Sequence, residues 1–244
     1  MPEFTALTWN VHLSDIYPQS QRIDSIRETL LRLHRKHPLD ALGLQEVEGN
    51  NGEVIAEALF GNQGAWRLHS RDDLQEHIGM AGVNLSEVEF FDLGHHKTAA
   101  LAYLGSTALV TTHLRRQPKL FPFGPEQIEQ VGALLERVED IDQVLLGGDW
   151  NCLWNMLPRK MIENAGFEPA FTQLPGKNHP KTFPAPGFEA LIPPEKRVLL
   201  KLARGAINLD GFYTKGLKVV DGGTGIGPSD HSYVWVTVDD DPQT

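Results

Sequence analysis

Cysteine is nearly absent: Cys152 is the single one in 244 residues. No internal disulfide can form, which fits a reducing compartment and leads to the expectation of a cytoplasmic protein. A reactive thiol beside Asn151 is conceivable, but a small buried filler is the favoured reading. No run approaches the roughly 18 uninterrupted apolar residues of a membrane span, so no transmembrane segment is expected. The first ten residues, Met-Pro-Glu-Phe-Thr-Ala-Leu-Thr-Trp-Asn, lack a basic stretch followed by an apolar one, so no secretory signal is expected. Three motifs are also missing. There is no Gly-x-x-x-x-Gly-Lys-Ser/Thr loop, which argues against that type of nucleotide hydrolysis. There is no Gly-x-Ser-x-Gly elbow, which argues against a serine hydrolase. Scattered His and a lone Cys lack the close spacing of a zinc site. Positive charge is short as well. The net charge of −10 argues against a generic nucleic-acid coat. It leaves open an enzyme acting on a phosphodiester, because carboxylates gathered around a metal make their own negative patch. No Pro/Gly-rich linker divides the chain and no short repeat is visible, so residues 1–244 are expected to form one domain.

What is present is an ordinary globular composition, 41% apolar and 22% charged. Phe4 to Val11 alternates as a strand. Gln21 to Lys36 carries Ile23, Ile26, Leu30 and Leu33 at helical spacing, and Pro38 stops it. Leu39 to Val47 reads as a buried strand and Gly52 to Phe60 as a helix. From Ile78 to Thr112 come short β-like runs: Gly79–Leu85, Glu87–Leu93, Thr98–Leu104 and Ala108–Thr112, expected as one antiparallel set. Glu126 to Glu139 is a second amphipathic helix, followed by a strand at Val144 to Leu146. A short helix spans Met156 to Asn164, with Gly166 suited to its C-cap. Residues 169–194 read mostly as loop, 195–204 as a helical insertion, and Ala206–Thr214 and Tyr233–Val238 as strands. The plan of strand, helix, strand, then sheet occurs twice, which hints at two similar halves in an α/β layered fold.

Residues 145–151 read Leu-Leu-Gly-Gly-Asp-Trp-Asn. Two glycines let a backbone bend where a side chain would clash. Two-residue spacing would then aim Asp149 and Asn151 the same way. Alone, this is as readily a turn. The pattern recurs, however. Strand after strand is read as ending in a polar residue: Asn10, Glu46, His113, Asp149 with Asn151, Asp210, and Asp230 with His231. Together they supply carboxylates, amides and imidazoles, the composition of a hard-cation site with acid–base groups beside it. Oxygen ligands of this kind suit Mg²⁺ or Mn²⁺.

Thr8-Trp9-Asn10-Val11, Leu44-Gln45-Glu46-Val47, Thr111-Thr112-His113-Leu114, Gly148-Asp149-Trp150-Asn151, Leu209-Asp210 and Ser229-Asp230-His231 resemble, in order, the motifs of the endonuclease/exonuclease/phosphatase superfamily. Deoxyribonuclease I, exonuclease III and tyrosyl-DNA phosphodiesterase 2 belong to it, as do sphingomyelinases and inositol polyphosphate 5-phosphatases. The resemblance implies a deoxyribonuclease I-like four-layer α/β sandwich, two central mixed sheets flanked by helices. It implies Glu46 as the main metal ligand, with Asn10 beside it and Asp230 assisting the metal or the histidine. Asp149 would position or deprotonate the attacking water, and Asn151 would orient it or touch a phosphate oxygen. His231 would contact the phosphate and stabilise the transition state, oriented by Asp210. His113 would donate to the phosphate or protonate the leaving group.

The sequence also departs from the family pattern. Trp150 stands where Phe or Leu is common. Residues 82–87 lack the Ser-Arg-x-Pro often found after this strand, so that substrate-side contact is either missing or supplied elsewhere, with Lys97 a candidate. His12 and His113 weaken an abasic-site reading. Lys181-Thr182-Phe183-Pro184-Ala185 resembles a Thr-Phe-Pro segment of bacterial members. Two stretches are candidate substrate contacts. One is Arg115, Arg116 and Lys119 with Phe121 and Phe123. The other is the segment 170–206, with six Lys/Arg against two Glu, which includes Lys181. The leading expectation is an Mg²⁺-dependent phosphodiesterase with a phosphate-ester, nuclease-like substrate. A phosphomonoesterase, a lipid or small-molecule phosphodiesterase, and a non-catalytic binding module remain as alternatives.

Overall fold

A computed structural model of the protein describes residues 3–11, 19–47, 50–71, 76–115, 124–153, 156–186, 188 and 207–240. The first half of the chain runs β1 (Glu3–Asn10), α1 (Gln19–Lys36), β2 (Ala41–Gln45), α2 (Asn51–Phe60), β3 (Gly64–Arg71) and β4 (Glu76–Val83). Then come β5 (Glu89–Gly94), β6 (Lys97–Leu104), β7 (Thr107–His113), α3 (Pro125–Val138) and β8 (Val144–Asp149). The remainder is α4 (Leu157–Asn164), β9 (Glu168–Pro169), β10 (Asp210–Lys215), β11 (Lys218–Gly225) and β12 (Tyr233–Asp239).

The strands form two six-stranded sheets, ordered β11-β12-β1-β2-β4-β3 and β5-β6-β7-β8-β10-β9. Each has a parallel pair at its centre, β1 with β2 and β7 with β8. Each pair is joined by a helix-containing crossover, as parallel strands require. Alternation along the central strands sorts side chains between layers. Ala6, Leu109 and Leu145 point between the sheets, with Met80 and Phe212. Their neighbours Leu7, Val110 and Leu146 point outward. Leu7 meets Ile26 and Leu30 of α1 and Ile55 of α2. Val110 and Leu146 meet Val131 and Leu134 of α3 and Ile162 of α4. The result is a helix–sheet–sheet–helix sandwich. Burying each large apolar side chain contributes roughly 1.5–3 kcal/mol, so these three clusters dominate the folding energy.

Helix ends follow local chemistry. Pro125 opens α3 and Pro158 opens α4 within the first turn, where a missing N–H costs nothing. Gly166, at φ +87°, closes α4 just past its cap.

Several expectations change. Glu76–Val83 does not join the strands after it; it pairs antiparallel with β2 and β3 in the first sheet. The chain crosses to the second sheet between Val83 and Glu89. Three strands escaped the sequence pattern, β3, β9 and β11. The last reads Lys-Val-Val-Asp-Gly-Gly-Thr-Gly, whose glycines mimic a loop. The strand expected from Ala206 begins only at Asp210. The helix at 195–204, together with His12, Arg116, Lys119, Phe121 and Phe123, lies outside the described residues.

The glycines of Leu-Leu-Gly-Gly-Asp do not end the strand, and Gly148 has φ +152°, a conformation that side chains rarely adopt. Both lie inside β8, and their use is close approach. A Cβ on Gly147 would sit 2.4 Å from the Phe212 ring, and one on Gly148 would sit 2.0 Å from the Thr112 carbonyl.

Candidate active site

All the polar motif residues meet at one edge of the sandwich, but not all of them end strands. Asn10, His113 and Asp149 are the last residues of β1, β7 and β8. Asp210 is the first residue of β10, and Asp230 and His231 precede β12. The register explains this. β10 is antiparallel to β8 with Asp210 opposite Asp149, and β12 is antiparallel to β1. Starts of antiparallel strands therefore share an edge with the ends of parallel ones.

The two central strand pairs finish in the same way. Val11 N donates to Gln45 O and Leu114 N to Asp149 O, both at 3.0 Å. Beyond each, the chain turns sharply through the left-handed region, at Glu46 (φ 59°) and Asn151 (φ 47°). Glu46 N is then held by His77 O at 2.8 Å.

Asn10 Nδ2 donates to both Glu46 Oε1 and Asp149 Oδ2, each at 3.0 Å. His113 Nε2 lies 3.6 Å from Glu46 Oε1 and 3.7 Å from Asp149 Oδ2. Those are ion-pair distances, too long for hydrogen bonds. His231 Nδ1 bonds Asp210 Oδ2 at 2.8 Å, while its Nε2 lies 3.9 Å from Asp149 Oδ2. Two imidazole Nε2 atoms thus converge on one carboxylate. Asn151 N donates to Asp149 Oδ1 at 2.8 Å, and its side-chain amide donates to Leu114 O at 2.9 Å.

Burial sets the electrostatics. Asp149 and Asp210 are essentially fully buried, whereas the Glu46 side chain is 28% exposed. Burial raises the Asp149 pKa to about 6, helped by the charge of Asp210 and opposed by His231, Asn10 and the Asn151 amide. Burial alone would lower His231. The Asp210 and Asp149 carboxylates overrule it and lift its pKa to about 10, aided by Asp230. At neutral pH His231 is therefore an imidazolium held between two buried carboxylates.

One group among the described residues could hold a cation: Asp149, Asp210 and His231 place one ligand atom each within 4.8 Å of one another. A metal at this trio would have to displace the proton that the two carboxylates favour on His231. The oxygen donors fit better, because hard divalent ions prefer carboxylate and carbonyl oxygen. Glu46 offers a partly exposed carboxylate at the open side. Asp210 Oδ1 is a buried acceptor without a hydrogen-bond partner among the described residues.

The candidate substrate contacts are less engaged. Arg115 Nε pairs with Glu126 of α3 at 3.2 Å, and Lys181 is exposed. Cys152 is buried, as a filler would be, and burial pushes its thiol pKa up.

Several residues that support the site did not stand out in the sequence. Ser229 Oγ donates to Asn10 O at 2.8 Å and accepts from His231 N at 3.1 Å. Trp9 Nε1 donates to His231 O at 2.9 Å. Gln45 Nε2 bonds Thr8 and Thr111, tying the two sheets together beneath Glu46. Thr182 Oγ1 accepts from both Leu209 N and Asp210 N at 3.0 Å. Phe183 packs on His231 with ring centroids 4.8 Å apart. Ser229, Trp9, Gln45, Thr182 and Phe183 lie within motifs quoted above, so proximity in sequence was the available signal. Arg159, fully buried on α4, had none.

A four-layer sandwich with carboxylates and imidazoles converging at one edge defines a phosphoester-hydrolase class of protein. The chain belongs to the Endonuclease/Exonuclease/phosphatase family, whose model matches residues 7–231. No curated protein matches the sequence. Among solved structures, an endonuclease/exonuclease/phosphatase from Bacteroides vulgatus superposes with a TM-score of 0.75 at 14% identity, over 98% of this chain and 99% of that one. TDP2 of D. rerio, complexed with a single-strand DNA product, superposes at 0.72 with 15% identity, over 97% and 99%. A functionally unknown conserved protein from Enterococcus faecalis V583 gives 0.71 at 16%, over 96% and 99%. At these identities the likeness is one of fold.

Proposed function

We propose that the protein is a divalent-metal-dependent phosphodiesterase that cleaves a nuclease-like phosphodiester by attack of water. The observation that carries this reading is the convergence of His113 Nε2 and His231 Nε2 on Asp149 Oδ2, at 3.7 and 3.9 Å. Such an arrangement suits a phosphate anion on one side and a water on the other.

Glu46, with Asn10 beside it and Asp230 nearby, would hold Mg²⁺ or Mn²⁺. When bound, the ion supplies Lewis-acid charge at a phosphate oxygen. Asp149 accepts the proton of the attacking water, and its raised pKa makes it a better base near neutrality than an ordinary carboxylate. Asn151 orients that water. His231 donates from Nε2 to a phosphate oxygen and offsets the charge that builds there, while Asp210 fixes its ring through Nδ1. His113 gives a proton to the leaving oxygen. Nucleic acid is the preferred substrate class, on the fold likeness to TDP2 with its single-strand DNA product. We also read the chain as one domain, since both sheets line a shared core, and place it in a reducing cytoplasm on its single cysteine.

The test is hydrolysis of bis(p-nitrophenyl) phosphate, p-nitrophenyl phosphate and a single-stranded oligonucleotide, with Mg²⁺ and with EDTA. Diester and oligonucleotide cleavage abolished by EDTA is expected. Cleavage of the monoester alone overturns the diesterase reading, and EDTA-resistant turnover overturns the metal.

A further inference from the structure

Arg159 has no relative exposure at all, although a guanidinium is costly to take out of water. It reaches from α4 to the two residues immediately before Asp210. Its Nη1 donates to Asn208 Oδ1 at 2.6 Å, and its Nη2 donates to Leu209 O at 2.8 Å and Asn208 O at 3.3 Å. The guanidinium carbon lies 6.0 Å from the centre of the Trp150 ring, the residue between Asp149 and Asn151. Leu209 O also accepts Trp150 N at 2.9 Å. One carbonyl therefore ties the strand of Asp149 to the strand of Asp210, and Arg159 holds that carbonyl from behind. On the opposite side, Thr182 Oγ1 takes the Leu209 and Asp210 amides. Asn208 is itself pinned by bonds from its Nδ2 to Pro180 O and Asp210 O. The segment is clamped through its carbonyls by one side chain and through its amides by another.

We propose that Arg159 is a positioning residue for the Asp210–His231 pair, acting through the backbone of Asn208 and Leu209 without touching substrate. The idea rests on the preceding assignment of that pair to the reaction. Cationic donors to carbonyl oxygen make stronger bonds than neutral ones, and in a dry interior they are stiffer. A placement error of 1 Å at a catalytic group costs rate more than binding.

The experiment compares Arg159→Met and Arg159→Lys with Ile162→Val, a buried apolar change on the same helix. Each is assayed on bis(p-nitrophenyl) phosphate with Mg²⁺. In parallel, the downfield proton resonance of the His231 Nδ1–H···Asp210 bond is followed in each protein, assigned by its loss in His231→Gln. Arg159→Met is expected to lower kcat about 10–100-fold with KM within about twofold, as loss of an outer support does elsewhere. Its resonance should move or broaden. Arg159→Lys should recover part of the rate, and Ile162→Val should keep both rate and resonance. If Arg159→Met fails to fold, Asn208→Ala removes the 2.6 Å bond to Arg159 together with the Nδ2 bonds to Pro180 O and Asp210 O, and a several-fold fall in kcat at constant KM with a moved resonance is expected. A folded variant with unchanged kcat per molecule and an unmoved resonance overturns the proposal. A wild-type protein that hydrolyses no phosphate ester sinks the functional reading instead. The resonance still decides whether Arg159 positions the pair.

Discussion

The two sheets are built on one plan and end in different chemistry. Strand for strand, β11-β12-β1-β2-β4-β3 corresponds to β5-β6-β7-β8-β10-β9. Asn10 at the end of β1 answers to His113 at the end of β7, and Gln45 of β2 answers to Asp149 of β8. The amide hydrogen bond that closes each pair has the same length. Yet the first half presents Glu46 partly to solvent, while the second buries Asp149 completely. An exposed carboxylate keeps its oxygens for a hard cation. A buried one has its pKa raised toward neutrality and becomes a base. The scaffold fixes where the two carboxylates stand, and their depth decides what each can do.

The sharpest way to break this comparison is to neutralise one carboxylate at a time. Asp149→Asn should lower kcat about a thousandfold or more at saturating Mg²⁺, with Mg²⁺ affinity nearly unchanged, read by steady-state kinetics and calorimetry. Glu46→Gln should do the reverse, weakening Mg²⁺ binding at least about tenfold and leaving part of the rate at high metal. Equal losses of metal affinity in the two variants would show that both halves hold the ion.

The packing beneath the halves differs less. Gly147→Ala meets the Phe212 ring and should cost about 1–3 kcal/mol in denaturant unfolding. Gly43→Ala, in the facing sheet, meets Thr111 Oγ1 at 2.6 Å. It also meets Thr111 Cβ at 2.8 Å, which no side-chain rotation moves, so the strands must shift and its cost should be at least as large. A clearly smaller cost at Gly43 would mean that the two sheets part easily there.

Protonation gives a pH-dependent effect. In metal-free protein, His231 has a folded pKa of about 10 against 6.5 unfolded. A raised value means that its stabilisation is complete below about 6.5 and is lost as pH rises through 10. The melting temperature should therefore fall between about pH 6.5 and 10, and the fall should shrink in His231→Gln. Asp149, raised from 3.8 to about 6, favours its neutral form when folded. That contribution is present at low pH and disappears as pH rises through 6, where the carboxylate proposed as the base appears. Rate should accordingly drop below pH 6, and an acidic limb near 4 would place the base elsewhere.

Much of this was legible in advance where a periodic pattern coincided with burial. The α1 stripe, the α3 stripe and the continuous apolar run of β8 all stood out because one face, or both, must leave water. β11 did not, since its glycines carry no pattern to read. The strand at 76–83 was recognised, but its sheet was not, because pairing partners are set by the crossover and not by local alternation. At the site, each motif advertised its polar residue. Nothing in the sequence separated Asp149 from Glu46 in depth, or placed Arg159 behind Asp210.

The chain alone therefore determined which polar residues gather at the candidate site, since carboxylates, amides and imidazoles are conspicuous at the ends of apolar runs. It also determined two near-equivalent halves, through a repeated order of periodicities. Tertiary structure decided the rest. Antiparallel pairing turned strand starts and strand ends into one edge. Burial, which depends on neighbours far apart in sequence, raised the pKa of Asp149 toward neutrality and left Glu46 partly open, while the Asp210 and Asp149 carboxylates raised that of His231 against its burial.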